Sequence, residues 1–409
     1  MNQLRFSRAT EKSRTSRENR QSKQLQKIVS NISKSEEALT IPEISSLVKI
    51  SIPTGTKLVR QLVEEGLVVE GGKKETENGR RPSVYTLNNS KFYALGVEVL
   101  KKWIHVSIVR VDMETIYESS SREFRLEDTA HCLEQIIQFI LNTIQESPAR
   151  TDQIIGAGIA LTGSVNGHTG QSADYFSGLN LHLVKYFEQE LNLQVAIDND
   201  TRVIGIAEQV LGVAKGVENV LVVKVSRDLG LSIILDKNII FGAAGFAGNF
   251  GHIQFGGKGR LCTCGKKGCL RTEVSGDALK QDLQEALASG ERSIYFNQMQ
   301  IDNYRYHDVL DAVLKGDALS IQLLHQQGMK LGRALGNVAN LLNPNLIVIG
   351  GEYVMVKDFF LDAVRIGMKE TALVSVMKNC QVRASKLDRY FSSRGAACMV
   401  LKNCELISY

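Results

Sequence analysis

One short segment restricts the fold of this chain more than any other. Residues 251–269, GHIQFGGKGRLCTCGKKGC, place one histidine and three cysteines in a polar, glycine-rich stretch: His252, Cys262, Cys264 and Cys269. Glycines let a backbone turn tightly around a small ion, and thiolates with an imidazole favour Zn²⁺ over Mg²⁺ or Ca²⁺. A Cys₃His set is typical of a closed structural zinc site, so we expect structural Zn²⁺ here. The alternative is three unliganded cysteines on a loop.

The cysteine content as a whole does not suggest a disulfide framework. The chain has only seven cysteines in 409 residues, whereas disulfide scaffolds are short and cysteine-rich. The N-terminal residues MNQLRFSRATEKSRTSRENR have no apolar core, so we expect no secretory signal there. No window approaches the ~18 apolar residues of a membrane span. We therefore expect a cytoplasmic protein with no membrane partner.

The positive charge of the chain is concentrated near its N-terminus. Residues 1–91 contain 17 lysines and arginines against 10 aspartates and glutamates, while the remaining residues contain 32 against 34. A basic segment on a near-neutral body predicts contact with a polyanion. The alternative is a solvated basic tail, and the pattern within the segment decides between the two.

That pattern is typical of a helix-turn-helix. Residues 18–34 place apolar side chains at helical spacing. Thr40 then stands three residues before Glu43, which predicts a capping box at the start of a short helix over 41–49. A turn leads to PTGTKLVRQLVEEG, a second amphipathic helix that ends at Gly66. In such a unit the second helix enters the major groove of DNA.

The residues that follow predict a wing. The sequence LVVEGG, KKETEN and GRRPSVYTLN indicates a strand, a loop and a strand. Basic residues of a wing can contact phosphates or a narrow minor groove. We expect bases to be read by Ser51, Thr54, Thr56 and Lys57. We expect the DNA backbone to be held by Arg60, Lys73, Lys74, Arg80 and Arg81. The alternative is a three-helix module that binds protein.

After Asn89 the pattern becomes that of an α/β protein. Three strand-like runs within residues 92–124 precede a helical run at about 129–147, and strands then alternate with helices. A second strand-rich block starts at ENVLVVKV and is again followed by helices. The pattern therefore indicates two α/β blocks.

This two-block pattern, the four metal-ligand residues and the basic head resemble the ROK family of repressors and sugar kinases over nearly the whole chain. The resemblance implies an α/β fold with an N-terminal winged helix-turn-helix and a two-lobed, ribonuclease-H-like body of the sugar kinase and actin type. It further implies a basic arm at 1–17, the winged helix at 18–89, a first lobe at 90–200 and a second lobe at 201–390 with the zinc site. The final helix, within 391–409, would return to the first lobe.

The phosphate-binding loops of the family are degraded in this sequence. ROK kinases carry an aspartate followed by paired glycines and threonine on the first strand, where this chain has Glu98 with Leu100 and Lys101. Side chains there obstruct the approach of backbone N–H groups to phosphate. The second loop keeps only Gly230 clearly and gains Asp228. We therefore expect no kinase activity and no other enzymatic one.

The sugar-contacting residues of the family are kept in part. Asn199-Asp200 matches the pair whose aspartate is the general base of the kinases. Without catalysis, Asp200 could bind a ligand hydroxyl, or it could cap the following helix. Gly163 matches the sugar-facing loop weakly. The resemblance also implies that His252 touches sugar in addition to the metal.

Two further contacts are glutamates in the family and are replaced here by Asn249 and Arg271. The guanidinium of Arg271 suits carboxylate or phosphate. The effector could therefore be an anionic sugar derivative. Alternatively, the pocket no longer binds sugar, which a pairing of Arg271 with Glu273 would favour.

Together these features predict a transcriptional regulator, a repressor of carbohydrate-utilisation genes that binds double-stranded operator DNA and senses a sugar or sugar derivative. The resemblance implies a homodimer or a dimer of dimers. Two alternatives stay open: a ROK-type sugar kinase carrying a DNA-binding head, and a ligand-free kinase-like body that serves only dimerisation.

Overall fold

The computed structural model describes residues 16–74, 81–297, 303–388 and 391–407. The chain divides into two compact units, unit 1 with residues 1–203 and 390–409, and unit 2 with residues 204–389. Both are α/β, as predicted. Among the described helices, none combines the length and the apolar character that crossing a bilayer requires. The four-part division drawn from the sequence stays a prediction.

The head (residues 16–89, as far as described) has the expected winged-helix elements. They are α1 (Ser16–Lys34), β1 (Leu39–Thr40), α2 (Ile41–Val48), α3 (Ile52–Glu64), β2 (Val68–Lys73) and β3 (Ser83–Leu87). The capping box is confirmed, because Thr40 accepts from the Glu43 N–H and the Glu43 carboxylate accepts from the Thr40 N–H at 2.8 Å. β3 lies between β1 and β2 in an antiparallel sheet.

The apolar stripes of the three head helices meet in one core. Leu25 and Ile28 of α1 and Leu62 of α3 are fully buried there. Gly55 allows α2 and α3 to cross closely, because a Cβ atom at this position would lie 2.1 Å from the Ser45 hydroxyl. The helix ends where predicted, since Gly66 follows with φ +70°.

Unit 1 continues as a five-stranded sheet with helices. Its elements are β4 (Tyr93–Leu100), β5 (Trp103–Arg110), β6 (Thr115–Ser121), α4 (Ala130–Glu146), β7 (Ile154–Leu161), α5 (Leu183–Leu191) and β8 (Val195–Asn199). The strand order is β6-β5-β4-β7-β8. β4, β5 and β6 pair with one another in antiparallel fashion, and β7 pairs in parallel with both β4 and β8.

The last helix, α12 (Phe391–Asn403), packs on this sheet. Gly96 and Gly158 leave room for its backbone, since Cβ atoms at these positions would lie 1.8 and 1.9 Å from the carbonyl oxygens of Ser393 and Ala396. The segment after α12 reaches the head, where the Ser33 hydroxyl donates to the Leu406 carbonyl at 2.6 Å. The head core is therefore continuous with the rest of unit 1.

Unit 2 repeats the same strand order, β11-β10-β9-β12-β13. Its strands are β9 (Val220–Val225), β10 (Leu229–Leu235), β11 (Asn238–Ile239), β12 (Leu346–Gly350) and β13 (Gln381–Ala384). Helix α6 (Asp200–Leu211) begins in unit 1 and continues into unit 2. The other helices of unit 2 are α7 (Gly276–Ala288), α8 (Tyr306–Leu314), α9 (Ala318–Leu342), α10 (Lys357–Thr371) and α11 (Val374–Met377). Two sheets of one topology are what the predicted two-lobed body requires.

Candidate functional site

The N-terminal part of α3 presents both polar and charged groups to solvent. The Ser51 hydroxyl accepts from the Thr54 N–H at 3.4 Å and lies 2.8 Å from the Thr54 hydroxyl, so Ser51 caps the helix. The Thr56 hydroxyl donates back to the Ile52 carbonyl at 2.9 Å. Lys57 and Arg60 are exposed. The three hydroxyls predicted to read bases thus already have bonds within the helix, while the two cations face solvent.

The basic residues of the wing differ in their surroundings. Lys73 ends β2 and is exposed, as is Arg81 before β3, while Arg80 lies outside the described residues. Lys74 instead donates to the Glu43 carboxylate at 2.8 Å. This bond raises the pKa of Lys74 and holds the pKa of Glu43 at about 2. Lys74 therefore fastens the wing to α2, which the sequence did not predict.

The four predicted metal ligands come together in unit 2. The ligand atoms of His252, Cys262, Cys264 and Cys269 all lie within 4.8 Å of one another. The Sγ atoms of Cys264 and Cys269 are 3.7 Å apart, and Cys262 Sγ lies 3.5 Å from His252 Nδ1. Zinc–ligand bonds of about 2.3 Å to sulfur and 2.0–2.1 Å to nitrogen in a tetrahedron give edges of about 3.8 and 3.6 Å. The donor set therefore fits a tetrahedral Zn²⁺ ion.

Tight turns shape this metal loop (residues 252–269). The Cys262 N–H donates to the Lys266 carbonyl at 2.8 Å, and the Gly265 N–H donates to the Cys262 carbonyl at 2.9 Å. Gly265 and Gly268 have φ of +84° and +74°, a region that favours glycine. These turns bring the three thiols, which are spread over eight residues, to one point.

Charged groups hold the metal loop on the body of unit 2. The buried Glu273 carboxylate accepts from the Lys258 N–H at 2.8 Å and pairs with Lys330 at 2.6 Å. Arg260 pairs with Asp282 at 2.7 Å. The same Asp282 carboxylate pairs with the Lys258 ammonium group at 3.0 Å. The loop is thus fixed to α7 and α9 by ion pairs that sequence spacing could not predict.

Two of the metal-binding thiols, those of Cys264 and Cys269, have pKa values shifted in opposite directions. A hydrogen bond from the Lys266 backbone lowers the pKa of Cys264, which favours the thiolate that metals bind. Burial, followed by the neighbouring thiols, raises the pKa of Cys269 to about 12. A cation at the centre of the cluster would therefore be needed to keep Cys269 deprotonated at neutral pH.

In unit 1, Asn199 rather than Asp200 makes the main capping bonds of α6. The Asn199 side-chain oxygen accepts from the Thr201 and Arg202 N–H groups at 3.0 and 3.3 Å, and its amide donates to the Gly163 carbonyl at 2.7 Å. The buried Asp200 carboxylate accepts from the Thr201 N–H at 2.8 Å. The structure thus brings Asn199 and Gly163 together, and Asp200 stands beside them in the first turn of α6.

A buried ion pair beneath this point was missed in the sequence. Arg202 donates from Nε to Asp198 at 2.8 Å and from Nη2 to the Val165 carbonyl at 2.5 Å. It therefore ties α6 to the end of β8 and to the loop after β7. Helical spacing gave no signal for this pair, because Asp198 lies in β8 and Arg202 in α6, whereas the i,i+4 rule applies within one helix.

In unit 2, the predicted alternative partner of Arg271 is wrong. Arg271 pairs with Asp228 at 2.8 Å and donates to the Thr263 hydroxyl, whereas Glu273 pairs with Lys330. Asn249 is exposed and donates to the Phe246 carbonyl at 3.0 Å. The charge of Arg271 is therefore already compensated by Asp228.

The two segments compared above with phosphate-binding loops are short hairpin turns. β4 runs through Leu100, and only Lys101 and Lys102 connect it to β5. Glu98 is buried and accepts from the Trp103 indole N–H at 3.3 Å. In unit 2, the Ser226 N–H donates to the Asp228 carbonyl at 3.0 Å, which closes the turn between β9 and β10.

Comparison with known proteins relates this chain to the ROK family and to proteins named as transcriptional regulators. The family model described as "ROK family" matches residues 94–403. The "Xylose repressor" of Caldicellulosiruptor bescii is 26% identical over 363 residues, covering 88% of this chain and 91% of that protein. The "DNA-binding transcriptional dual regulator NagC" of Escherichia coli K12 is 28% identical over 366 residues, covering 88% of this chain and 87% of that protein.

Solved structures with this fold include both regulators and kinases. A ROK family transcriptional regulator, a homolog of the E. coli MLC protein, superposes with a TM-score of 0.80 at 24% identity, over 94% of this chain and 98% of that one. A ROK family glucokinase from Streptomyces griseus, in complex with glucose and AMPPNP, superposes with a TM-score of 0.64 at 22% identity. This superposition covers 75% of this chain and 98% of the glucokinase chain.

Proposed function

Because the chain belongs to the ROK family, we propose that it is a DNA-binding transcriptional regulator. It represses carbohydrate-utilisation genes, and its kinase-like body senses a sugar or sugar derivative without phosphorylating it. The observation that carries this proposal is the winged-helix head, whose α3 exposes Lys57 and Arg60. Relatives that align with 87–91% of their own length and with 88% of this chain are named as a repressor and a transcriptional regulator.

The head supports a division of labour between base and phosphate contacts. The first turns of a recognition helix meet base edges, so Ser51, Thr54, Thr56 and Lys57 are the proposed readers. The hydroxyls can still accept hydrogen bonds while they donate within the helix. Phosphate is the proposed partner of Arg60, Lys73, Arg80 and Arg81. Lys74 contributes less, because Glu43 compensates its charge.

The metal loop supports a structural zinc ion rather than a catalytic one. His252, Cys262, Cys264 and Cys269 supply all four ligands of a tetrahedral site. Such a site keeps no open position for a water nucleophile. When bound, the ion stabilises the fold of the loop and keeps the thiols as thiolates.

The two hairpin turns support a body that does not transfer phosphate. Nucleotide phosphates need several converging backbone N–H groups. In unit 1, Glu98 and Trp103 fill the end of the first hairpin with side chains. In unit 2, Asp228 and Arg271 form an ion pair at the second. The alternative, a sugar kinase with a DNA-binding head, is favoured by the retained Asn199-Asp200 pair and by the intact set of four metal ligands.

The proposed effector is a polyhydroxylated molecule. Unit 1 offers Gly163, Asn199 and Asp200 as candidate contacts, and unit 2 offers Asn249, His252 and Arg271. Asp228 compensates the charge of Arg271, so a neutral sugar is favoured and an anionic derivative is second. A body that binds no ligand and serves only dimerisation is the remaining alternative.

We further propose a homodimer or a dimer of dimers. Unit 2 exposes large apolar side chains, among them Leu341 and Val374, and exposed apolar patches often mark contacts between proteins. Two heads would then meet two half-sites spaced by the helical repeat of DNA.

Two substitutions test the DNA-binding function. Lys57→Ala should weaken binding to a duplex selected from a random-sequence pool by about 1–3 kcal/mol and relax its sequence preference, because a base contact is lost. Arg81→Ala should weaken binding to selected and unselected duplexes alike and lower the salt slope by about 1. Fluorescence anisotropy over a range of salt concentrations measures both. Unchanged affinity and slope in both variants would contradict the assignment of the groove-binding face.

A further inference from the structure

The first residue of the recognition helix is an exposed apolar one. Ile52 begins α3 and is 54% exposed, next to the exposed Pro53. A single exposed apolar residue is common on protein surfaces. Its place is informative here, because the N-terminal residues of a recognition helix are those that reach base edges.

Neighbouring contacts fix the backbone that carries this side chain. The Ile50 N–H donates to the Ser45 carbonyl at 2.9 Å, and Ser51 caps the helix. Gly55 holds α3 against Ser45 of α2 at a distance that a side chain would not permit. The backbone of Ile52 therefore lies in a well-defined turn, so little backbone entropy is left to lose on binding.

The polar groups around Ile52 bond to one another or to the backbone, so the Ile52 side chain is available only for an apolar contact. The hydroxyls of Ser51 and Thr54 bond to each other, and Thr56 donates to the Ile52 carbonyl itself. Nearby, Lys57 provides the cationic donor. The Ile52 side chain has no polar atom with which to join either set.

One feature of the major groove matches such a side chain. The 5-methyl group of thymine is the apolar group displayed there by the base pairs, and apolar side chains contact it. We propose that Ile52 is a specificity-determining residue that reads a thymine 5-methyl group. This inference rests on the proposed DNA-binding function.

A thymine-to-deoxyuridine series tests the inference, because deoxyuridine lacks only the methyl group. A duplex is first selected from a random-sequence pool with the full-length protein, and each thymine is then replaced in turn. At one thymine position, methyl removal should weaken binding of the unaltered protein about four-fold, the effect of about one methyl-sized apolar contact. The Ile52→Ala variant should bind the thymine and deoxyuridine duplexes equally at that position.

A second variant of the same helix serves as the control. Val63 is also an exposed apolar residue of α3, 37% exposed, but it lies eleven residues further on, about 16 Å along the helix axis. Val63→Ala should keep the four-fold response, and both variants should remain folded at the temperature of the binding measurement.

The remaining outcomes of the series distinguish a wrong role for Ile52 from a wrong DNA-binding function. An equal response in Ile52→Ala and the unaltered protein, or no responsive thymine, would overturn the role of Ile52 and leave the regulator function standing. Failure to select any duplex would overturn the proposed function, and this inference with it.

Discussion

The head and the metal loop are both small, and they are held by opposite means. In the head, side chains such as Leu25, Ile28 and Leu62 form an apolar core that continues into the rest of unit 1. In the metal loop, Leu261 is 69% exposed, and the loop depends on four ligands and on ion pairs such as Arg260–Asp282. The head is therefore sensitive to packing, and the loop to metal and charge.

The largest change in the free energy of unfolding should follow removal of the metal ion. Chelation, or Cys264→Ser, should destabilise unit 2, because zinc binding is coupled to folding of its loop. The loss is about 4 kcal/mol when the ion is present at about a thousand times its dissociation constant. Unit 1 should change little. The single tryptophan, Trp103, lies in β5 of unit 1, so its fluorescence follows unit 1 while circular dichroism follows both units.

Another cysteine of unit 2 provides the matched control. Cys380 is buried but belongs to no metal-ligand cluster among the described residues. Cys380→Ala should keep one zinc ion per chain by elemental analysis. Full loss of zinc with unchanged unfolding of unit 2 would show that the ion does not support this unit.

The second largest change in the free energy of unfolding should follow truncation of a side chain in the head core. Leu62→Ala should lower the free energy of unfolding of unit 1 by about 3 kcal/mol, because it removes a fully buried side chain and leaves a cavity. Urea unfolding followed by Trp103 fluorescence measures this loss. The adjacent Val63→Ala, at a partly exposed position, should cost much less. Equal effects of the two variants would contradict the packing of α3.

The smallest effect concerns the ion pair between Lys74 of the wing and Glu43 of α2. Lys74 holds the pKa of Glu43 near 2, below its ordinary value of 4.5. The stabilisation is therefore complete above about pH 4.5 and is lost as the pH falls toward 2. Both side chains are more than a third exposed, so solvent screening keeps the effect of Glu43→Gln below about 1 kcal/mol at pH 7.

Urea unfolding from pH 7 to pH 3 measures this effect. The difference in unfolding free energy between the unaltered protein and Glu43→Gln should stay constant from pH 7 to about 5 and narrow below 4.5. Lys74→Met should reduce the pH dependence without removing the capping box. A difference that widens on acidification would rule out the depressed pKa.

The sequence predicted those parts of the molecule that depend on local spacing. The capping box of Thr40 and Glu43, the helix end at Gly66 and the assembly of the four metal ligands are all confirmed. Each depends on residues within about twenty positions of one another, where helical periodicity or turn chemistry limits the alternatives.

Most of the ion pairs that were missed join residues far apart in the chain, and the Asp198–Arg202 pair joins a strand to the helix that follows it. Glu273 pairs with Lys330, Arg271 with Asp228 and Lys74 with Glu43. No periodicity selects among the many charged residues of the chain, because a pair that bridges two elements depends on how those elements pack. The hydroxyl bonds of Thr54 and Thr56 likewise depend on rotamers that the sequence leaves open.

We propose that the kinase-like body serves the DNA-binding head by recognising a ligand without phosphorylating it. Release of ADP from Mg²⁺–ATP, measured over a panel of neutral sugars, uronates and sugar phosphates, shows whether the body transfers phosphate. We expect every compound to release no more ADP than it does with the Asp200→Ala variant, including any compound whose binding is detected by calorimetry. Sugar-dependent release of ADP that disappears in Asp200→Ala would show instead that the body is a sugar kinase.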